Sequence, residues 1–321
     1  MIKVGIIGGA GYTAGELIRI LLNHPKTEIT SVVSQSHKGE FLASAHPDLE
    51  GETTLKFDSE LTPDVEVIFL CSGHGKSTAI VENRAIPESA KIIDLSSDYR
   101  IKSNKHDFVY GLPELNRENI KNAKHIANPG CFATCIQLSI LPLADAGLLN
   151  QDVHVTAITG STGAGQNPTD TTHFSWRSNN ASIYKAFTHQ HLSEIRQSIQ
   201  QLQPNFFQNI HFIPMRGAFT RGILATSYLP LGASLQEIKS LFDTYYKHHP
   251  FVHISETSPD VKRVVNTNKA LLHIQKENEQ ILITGVIDNL LKGASGQAVQ
   301  NMNLLFGLNE TTGLTLKSGA F

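Results

Sequence analysis

Along the first 145 residues the apolar positions fall in short continuous runs. Ile2–Ile7, Ile29–Val33, Val65–Cys71, Lys91–Leu95 and His125–Asn128 each read as a strand buried on both faces, which is how parallel strands look. Helical stretches lie between them: Glu16–Asn23, a segment from Ser77 to about Arg84, and the residues after Gly130, where Ile136, Leu138, Ile140, Leu141 and Leu143 give a broad apolar surface. This alternation predicts an α/β, doubly wound parallel sheet with right-handed crossovers. From Val153 the pattern changes. Val153–Thr159, Ile210–Ile213, Ile223–Pro230, Ala270–Gln275 and Gln280–Ile287 are strands rich in β-branched residues, and helix 235–248 carries Leu235, Ile238, Leu241, Phe242 and Tyr245 at helical spacing. These pair most easily as a large mixed or antiparallel sheet in an α+β domain. One face of such a sheet packs on helices and the other is offered to a partner subunit, so a homodimer or homotetramer is expected. Asp288–Leu308 then leaves the last strand through Gly293-Ala294-Ser295-Gly296 into a helix with Val299, Met302, Leu305 and Phe306 on one side.

Length and composition narrow the class. At 321 residues two domains are expected. A net charge of −2 without like-charge blocks gives no footprint for nucleic acid. No apolar run approaches the roughly 18–20 residues that span a bilayer, and Met1 leads straight into a strand, leaving no room for a signal peptide. The three cysteines, Cys71, Cys131 and Cys135, show no C-x-x-C spacing, which suits a reducing, cytoplasmic compartment.

The first strand empties into Gly8-Gly9-Ala10-Gly11-Tyr12-Thr13-Ala14-Gly15. Strand, glycine turn and helix form a Rossmann-type dinucleotide unit, with pyrophosphate expected at Gly8, Gly11, Tyr12 and Thr13. The second strand ends in Ser34-Gln35-Ser36-His37-Lys38, without the acid that usually meets a free ribose 2′-hydroxyl. Ser34, Ser36 and Lys38 suit a 2′-phosphate instead, so NADP(H) is expected over NAD. Ser72 and Gly73, at the exit of a third strand, are expected to line the same crevice.

The chemistry centres on Asn128-Pro129-Gly130-Cys131. A cysteine in the first turn of a helix meets unpaired N–H groups and a positive dipole end, which favour the thiolate. Cys135, one turn on, reads as buried and inert. Six of the seven residues Gly160–Gln166 are Gly, Ala, Ser or Thr, a loop expected to expose N–H groups to a phosphate. His191 and Glu194 share a helix face, where the carboxylate can orient the imidazole; His189 is the other candidate base. No third ligand joins the histidines at a recognisable spacing, so no metal is expected. Arg100, Arg177, Arg216 and Arg221 are candidates for binding substrate anions.

Taken together, Gly8-x-x-Gly11-Tyr12-Thr13, Asp94-Leu95-Ser96-x-Asp98-x-Arg100, Tyr110-Gly111-Leu112-Pro113-Glu114, Asn128–Thr134, Gly160–Gly165, His189-x-His191-x-x-Glu194 and Asp288–Ala298 resemble, in order and over nearly the whole chain, the N-acetyl-γ-glutamyl-phosphate reductases of arginine biosynthesis. The resemblance implies an NADPH-dependent reduction of an acyl phosphate, releasing inorganic phosphate, through a thioester on Cys131. It implies His191 as acid–base with Glu194 in support, Arg100 and Arg221 (or Arg216) at the substrate, Ser161 and Gly163 among the cofactor contacts, and Asn289 near the nicotinamide. It also implies that the last helix returns to the first domain, so that 1–130 with 294–321 bind NADP and 131–293 form the catalytic and oligomerisation domain. The acyl group stays open, as does the related reduction of aspartyl or aminoadipyl phosphate. A redox-sensing regulator that binds NADP without turnover is the reading from another class.

Overall fold

The structure is a computed structural model and describes residues 1–83 and 86–319. The chain divides into two compact units, Met1–Pro129 with Ala294–Thr315, and Gly130–Gly293 with the residues from Leu316 on.

The first unit opens with β1 (Ile2–Ile7), α1 (Tyr12–Leu21) and β2 (Thr27–Val33). It continues through β3 (Val67–Leu70), α2 (Ser77–Glu82), β4 (Lys91–Asp94), β5 (Val109–Tyr110), α3 (Pro113–Lys121) and β6 (His125–Ala127). Arg84, taken above as the approximate end of a helix, lies outside the described residues. The strands form one parallel sheet in the order β2-β1-β3-β4-β6-β5. All four residues of β3 are buried, as its continuous apolar run requires. The chain steps from β1 outward to β2, then back across β1 to β3, so the strand order reverses at the carboxyl ends of β1 and β3. Gly8, at φ +85°, makes that meeting possible: a Cβ there would stand 2.7 Å from the Cys71 carbonyl carbon and the Ser72 nitrogen.

One expectation shifts. The helix α1 starts at Tyr12, not Glu16. Gly15 reads locally as a turn residue, but it lies inside the helix, and His46 packs where its Cβ would be, 2.7 Å away. The segment Tyr110–Leu115 leads into α3, with Pro113 in its first turn, where a missing N–H costs nothing.

The second unit contains α4 (Cys131–Asp145), β7 (Val153–Thr159), α5 (Phe174–Arg177), β8 (Ser182–Ile183) and α6 (His191–Leu202). Then follow β9 (Ile210–Arg216), β10 (Ile223–Pro230), α7 (Leu235–Tyr246), β11 (Val252–Ile254), β12 (Ala270–Glu277) and β13 (Gln280–Ile287). The strands build a mixed seven-stranded sheet, β11-β12-β13-β10-β7-β9-β8. Burial alternates strictly along β7, the mark of a sheet with one covered face. The covering helix is α4, buried on nearly every side between the sheet, α6 and α7. A Cβ on Gly285 would strike Ser139 and Cys135 of α4, which is how closely they pack. On the other face, the register lines up Ile183, Met215, Ile158 and Leu224 in one row. A second row stacks His211 on His154 at 4.9 Å and His154 on Tyr228 at 5.1 Å. The edge strands β8 and β11 have only two and three residues, too short for a periodicity to show. The last helix, α8 (Ser295–Leu305), belongs to the first unit and packs on α1 and α3.

Candidate active site and cofactor turn

In the first unit the glycine turn is tied to the end of β2: Gly8 and Gly9 both donate to the Val33 carbonyl, at 3.1 and 2.9 Å. Gly11 is the N-cap of α1, no side chain caps it, and the first turn carries no acid. The N–H groups of Tyr12 and Thr13 thus stand at an uncapped helix N-terminus, which fits a pyrophosphate. The Thr13 hydroxyl bonds the Cys71 thiol, whose pKa is pushed up to about 12 by burial.

Ser34 is buried at the exit of β2, with its Oγ 3.3 Å from that of Ser36; Lys38 is exposed. Tertiary folding does bring an acid to this strand end, Asp58, but its carboxylate accepts from Val32 N at 3.0 Å and so faces the strand backbone. Ser72 and Gly73 begin a turn with two left-handed glycines, Gly73 and Gly75. Asp98 pins this turn by accepting from Gly75 N (2.7 Å) and Ser77 N (3.0 Å). Asp94, wholly buried, accepts from Ser77 Oγ (2.6 Å) and Ser96 Oγ (2.7 Å). Burial raises its pKa, and these hydrogen bonds oppose the rise. Arg100 is buried as well, donating from Nε to Asn128 O (2.9 Å) and from Nη2 to Leu95 O (3.1 Å).

In the second unit Cys131 is the first residue of α4 and half-buried; Gly130 is the N-cap, with no side-chain cap and no acid in the first turn. Gly293 lets the 288–293 turn close on it, since a Cβ there would stand 2.8 Å from Cys131 Cβ. Cys135 is buried, and burial raises its thiol pKa. His191 opens α6, and one turn on Glu194 is almost wholly buried. Glu194 Oε1 lies 3.8 Å from His191 Nε2, close but not hydrogen-bonded. Its Oε2 accepts from Gly130 N at 3.0 Å, so the carboxylate holds the elbow that carries Cys131. The His189 ring stands 4.5 Å from that of His191, edge to face. Burial, aided by Lys185, lowers the His189 pKa to about 4.

The structure adds Tyr184, which the sequence reading did not single out. Burial raises its phenol pKa, and the charge of the nearby Cys131 adds to the rise; Arg216, hydrogen-bonded to it, works the other way. The Arg216 guanidinium lies 4.8 Å over the Tyr184 ring, and its buried Nε has no hydrogen-bond partner. The pairing of β8 with β9 sets Ser182 opposite Arg216, and thereby brings Tyr184 to that arginine. A lone tyrosine just past a two-residue strand carries no local signal of this.

Other expected residues have partners within the second unit. Arg177 donates to Thr171 O, Asn180 O, Arg216 O and Ser182 Oγ, which consumes its guanidinium. Arg221 forms a two-point pair with buried Asp288, at 3.1 and 3.2 Å. Asn289 accepts from Gly222 N (2.7 Å) and donates to Thr162 Oγ1 (3.0 Å). The Gly160–Gln166 loop does not expose its N–H groups as expected. It folds into a 3-10 turn, Ser161–Ala164, in which Ser161 N donates to Phe219 O (2.8 Å), Thr162 N to Thr220 O (3.2 Å) and Gly163 N to Gly160 O (3.4 Å). A Cβ on Gly160 would stand 2.4 Å from Thr220 O, so the glycine admits the neighbouring turn that takes those donors. Among the described residues no group of three or more His, Cys, Asp or Glu could hold a metal ion, and no helix is long and apolar enough to cross a membrane.

Two family models match the chain. Residues 3–123 match the semialdehyde dehydrogenase NAD binding domain, and 131–289 the semialdehyde dehydrogenase dimerisation domain. Aspartate semialdehyde dehydrogenase II from Vibrio cholerae, complexed with ASA, shares the fold at TM-score 0.73 and 17% identity, over 96% of this chain and 98% of that one. The Candida albicans aspartate semialdehyde dehydrogenase with NADP does so at TM-score 0.73 and 13% identity, over 95% and 99%. Fold and site thus define an NAD(P)-dependent oxidoreductase acting on an aldehyde or oxo group. N-acetyl-gamma-glutamyl-phosphate reductases from Parabacteroides distasonis and Bacteroides thetaiotaomicron are 60% and 58% identical, over all of this chain and all of theirs. The chain belongs to the N-acetyl-γ-glutamyl-phosphate reductase family.

Proposed function

We propose that this protein reduces N-acetyl-γ-glutamyl phosphate to the semialdehyde and inorganic phosphate, in arginine biosynthesis, with NADPH as reductant. The observation that carries the reading is a half-buried cysteine at the uncapped N-terminus of α4, on an elbow that Glu194 ties to the His191 helix. His191 takes the proton of Cys131, and the helix terminus favours the resulting thiolate. The sulfur attacks the acyl carbon, the carbon–oxygen bond to phosphate breaks, and phosphate leaves with the electron pair. Bound NADPH supplies the hydride that reduces the thioester carbon. The thiohemiacetal oxyanion then expels the thiolate and leaves the aldehyde. His189, its pKa held near 4, stays neutral at pH 7 and orients His191 by accepting from its backbone N–H at 3.2 Å.

Arg216 is the better candidate than Arg221 for a substrate anion, because Asp288 already occupies Arg221. Tyr184 holds the Arg216 guanidinium in place. Cofactor contacts are proposed at Gly8, Gly11, Tyr12, Thr13, Ser34, Ser36, Lys38, Ser72 and Gly73. Two subunits are proposed to join through the open face of the second sheet. Three free thiols suit the reducing cytoplasm.

The test is a phosphate-dependent oxidation assay, run in the reverse direction on N-acetylglutamate semialdehyde, its succinyl analogue and aspartate semialdehyde. The first should be preferred by at least tenfold in kcat/KM, about 1.4 kcal/mol of transition-state binding. Preference for aspartate semialdehyde would overturn the substrate, and NADP binding without any turnover would favour a regulator.

A further inference from the structure

We propose that His37 is a ligand of the phosphate on the cofactor's adenosine ribose, and that it sets the preference between NADP and NAD. The proposal rests on the reading that the crevice binds NADP, and it adds a residue to it.

Four observations place the imidazole. The turn after β2 starts at Val33, whose carbonyl holds both Gly8 N and Gly9 N, so this turn and the glycine turn leave the sheet side by side. Phe57 lies between them: a Cβ on Gly9 would stand 3.2 Å from its ring, and the His37 ring packs on it at 5.5 Å. Ser36 Oγ bonds His37 Nδ1 at 2.9 Å, and Ser36 in turn lies 3.3 Å from Ser34 Oγ. Finally, Gly39 N donates to Phe57 O at 2.8 Å and Gln35 Nε2 to Ser59 O at 3.2 Å, which pins both sides of the turn. The imidazole is therefore oriented through one nitrogen and one ring face. Among the described residues no partner takes Nε2. A group held this way costs little rotamer entropy on meeting a ligand.

The charges around it favour an anion. From its own turn come Lys38, which makes no ion pair among the described residues, and Glu40, whose carboxylate accepts from Ser44 Oγ at 2.9 Å. From the packed segment come Lys56, whose ammonium sits over Phe41 at 4.6 Å, and Asp58, whose carboxylate is turned to Val32 N. Beyond Phe57, His46 Nε2 bonds Gly9 O at 2.7 Å. Among the described residues no carboxylate pairs with His37, so a phosphate brought beside Ser34, Ser36 and Lys38 finds the imidazole without a competitor there. A cofactor with a free 2′-hydroxyl has no phosphate for His37 to meet, so its affinity should not depend on this residue.

Direct binding of NADPH and NADH, followed by nicotinamide fluorescence at one pH, tests this without turnover. In the unaltered protein NADPH should bind tighter than NADH. His37→Gln should weaken NADPH about tenfold, in line with losing one charge-assisted hydrogen bond, and should leave NADH within twofold. A His37→Gln protein that binds NADPH within twofold of the parent would overturn the proposal, as would one that loses NADH affinity as much as NADPH affinity. If the parent binds NADH as tightly as NADPH, the NADP reading itself fails, and that result is distinct from either.

Discussion

Cys131 and its neighbours show how one residue type takes different parts. Cys135 is sealed by burial and Cys71 is pushed up to about 12, whereas Cys131 sits half-buried at a helix start. Iodoacetamide should therefore label Cys131 first, read by peptide mass spectrometry. Cys131→Ser should abolish reduction while leaving NADPH binding and the thermal transition in place. Arg216 and Arg221 differ in the same way. Arg221→Met strands buried Asp288 and should cost about 3 kcal/mol of stability, seen as a lower urea midpoint. Arg216→Met should raise substrate KM at least tenfold with little change in that midpoint. His189 makes a pH prediction. Its folded pKa of about 4 lies below the roughly 6.5 of an unfolded histidine, so the unfolded chain binds more protons between those values. Stability from this residue is full above about pH 6.5 and is lost as pH falls toward 4. In His189→Gln the difference between urea midpoints at pH 7 and pH 4.5 should shrink.

At the scale of the element, the glycine turn and the cysteine elbow both depend on helix ends left without caps. Gly8→Ala places a side chain at φ +85° against the β3 exit and should cost about 1–3 kcal/mol, with NADPH affinity falling at least as much. Glu194→Ala removes the acceptor of Gly130 N and should lower kcat sharply; Glu194→Gln, which keeps an oxygen there, should recover a substantial part. Strand existence was legible from local pattern: β7, β10 and β13 occupy the ranges their apolar runs predict. The start of α1 was not, because Gly15, which locally signals a turn, serves instead to admit the distant His46 against the helix. In the loop Gly160–Gln166 the small residues do expose the backbone, and Ser161 N and Thr162 N meet the Phe219–Thr220 turn, a contact for which the local pattern carries no signal.

For the whole molecule, the open sheet face predicts assembly. Its rows place Ile158, Leu224 and Met215 beside Thr156, Ile213 and the stacked His154–Tyr228 pair. Ile158→Asp combined with Leu224→Asp puts two unpaired charges into that face and should shift the protein to monomers, measured by light scattering on a sizing column.

The order of residues alone determined the parallel and mixed sheets, the glycine turn and the cysteine at a helix start, because each depends on neighbours within a few positions. Folding decided which of several equivalent groups is left for chemistry. Among the described residues Arg216 rather than Arg221 lacks a carboxylate partner, Glu194 reaches Gly130 more closely than His191, and Tyr184 meets Arg216 through an edge strand of two residues. Such assignments rest on hydrogen bonds and burial between positions tens of residues apart, for which periodicity along the chain carries no signal.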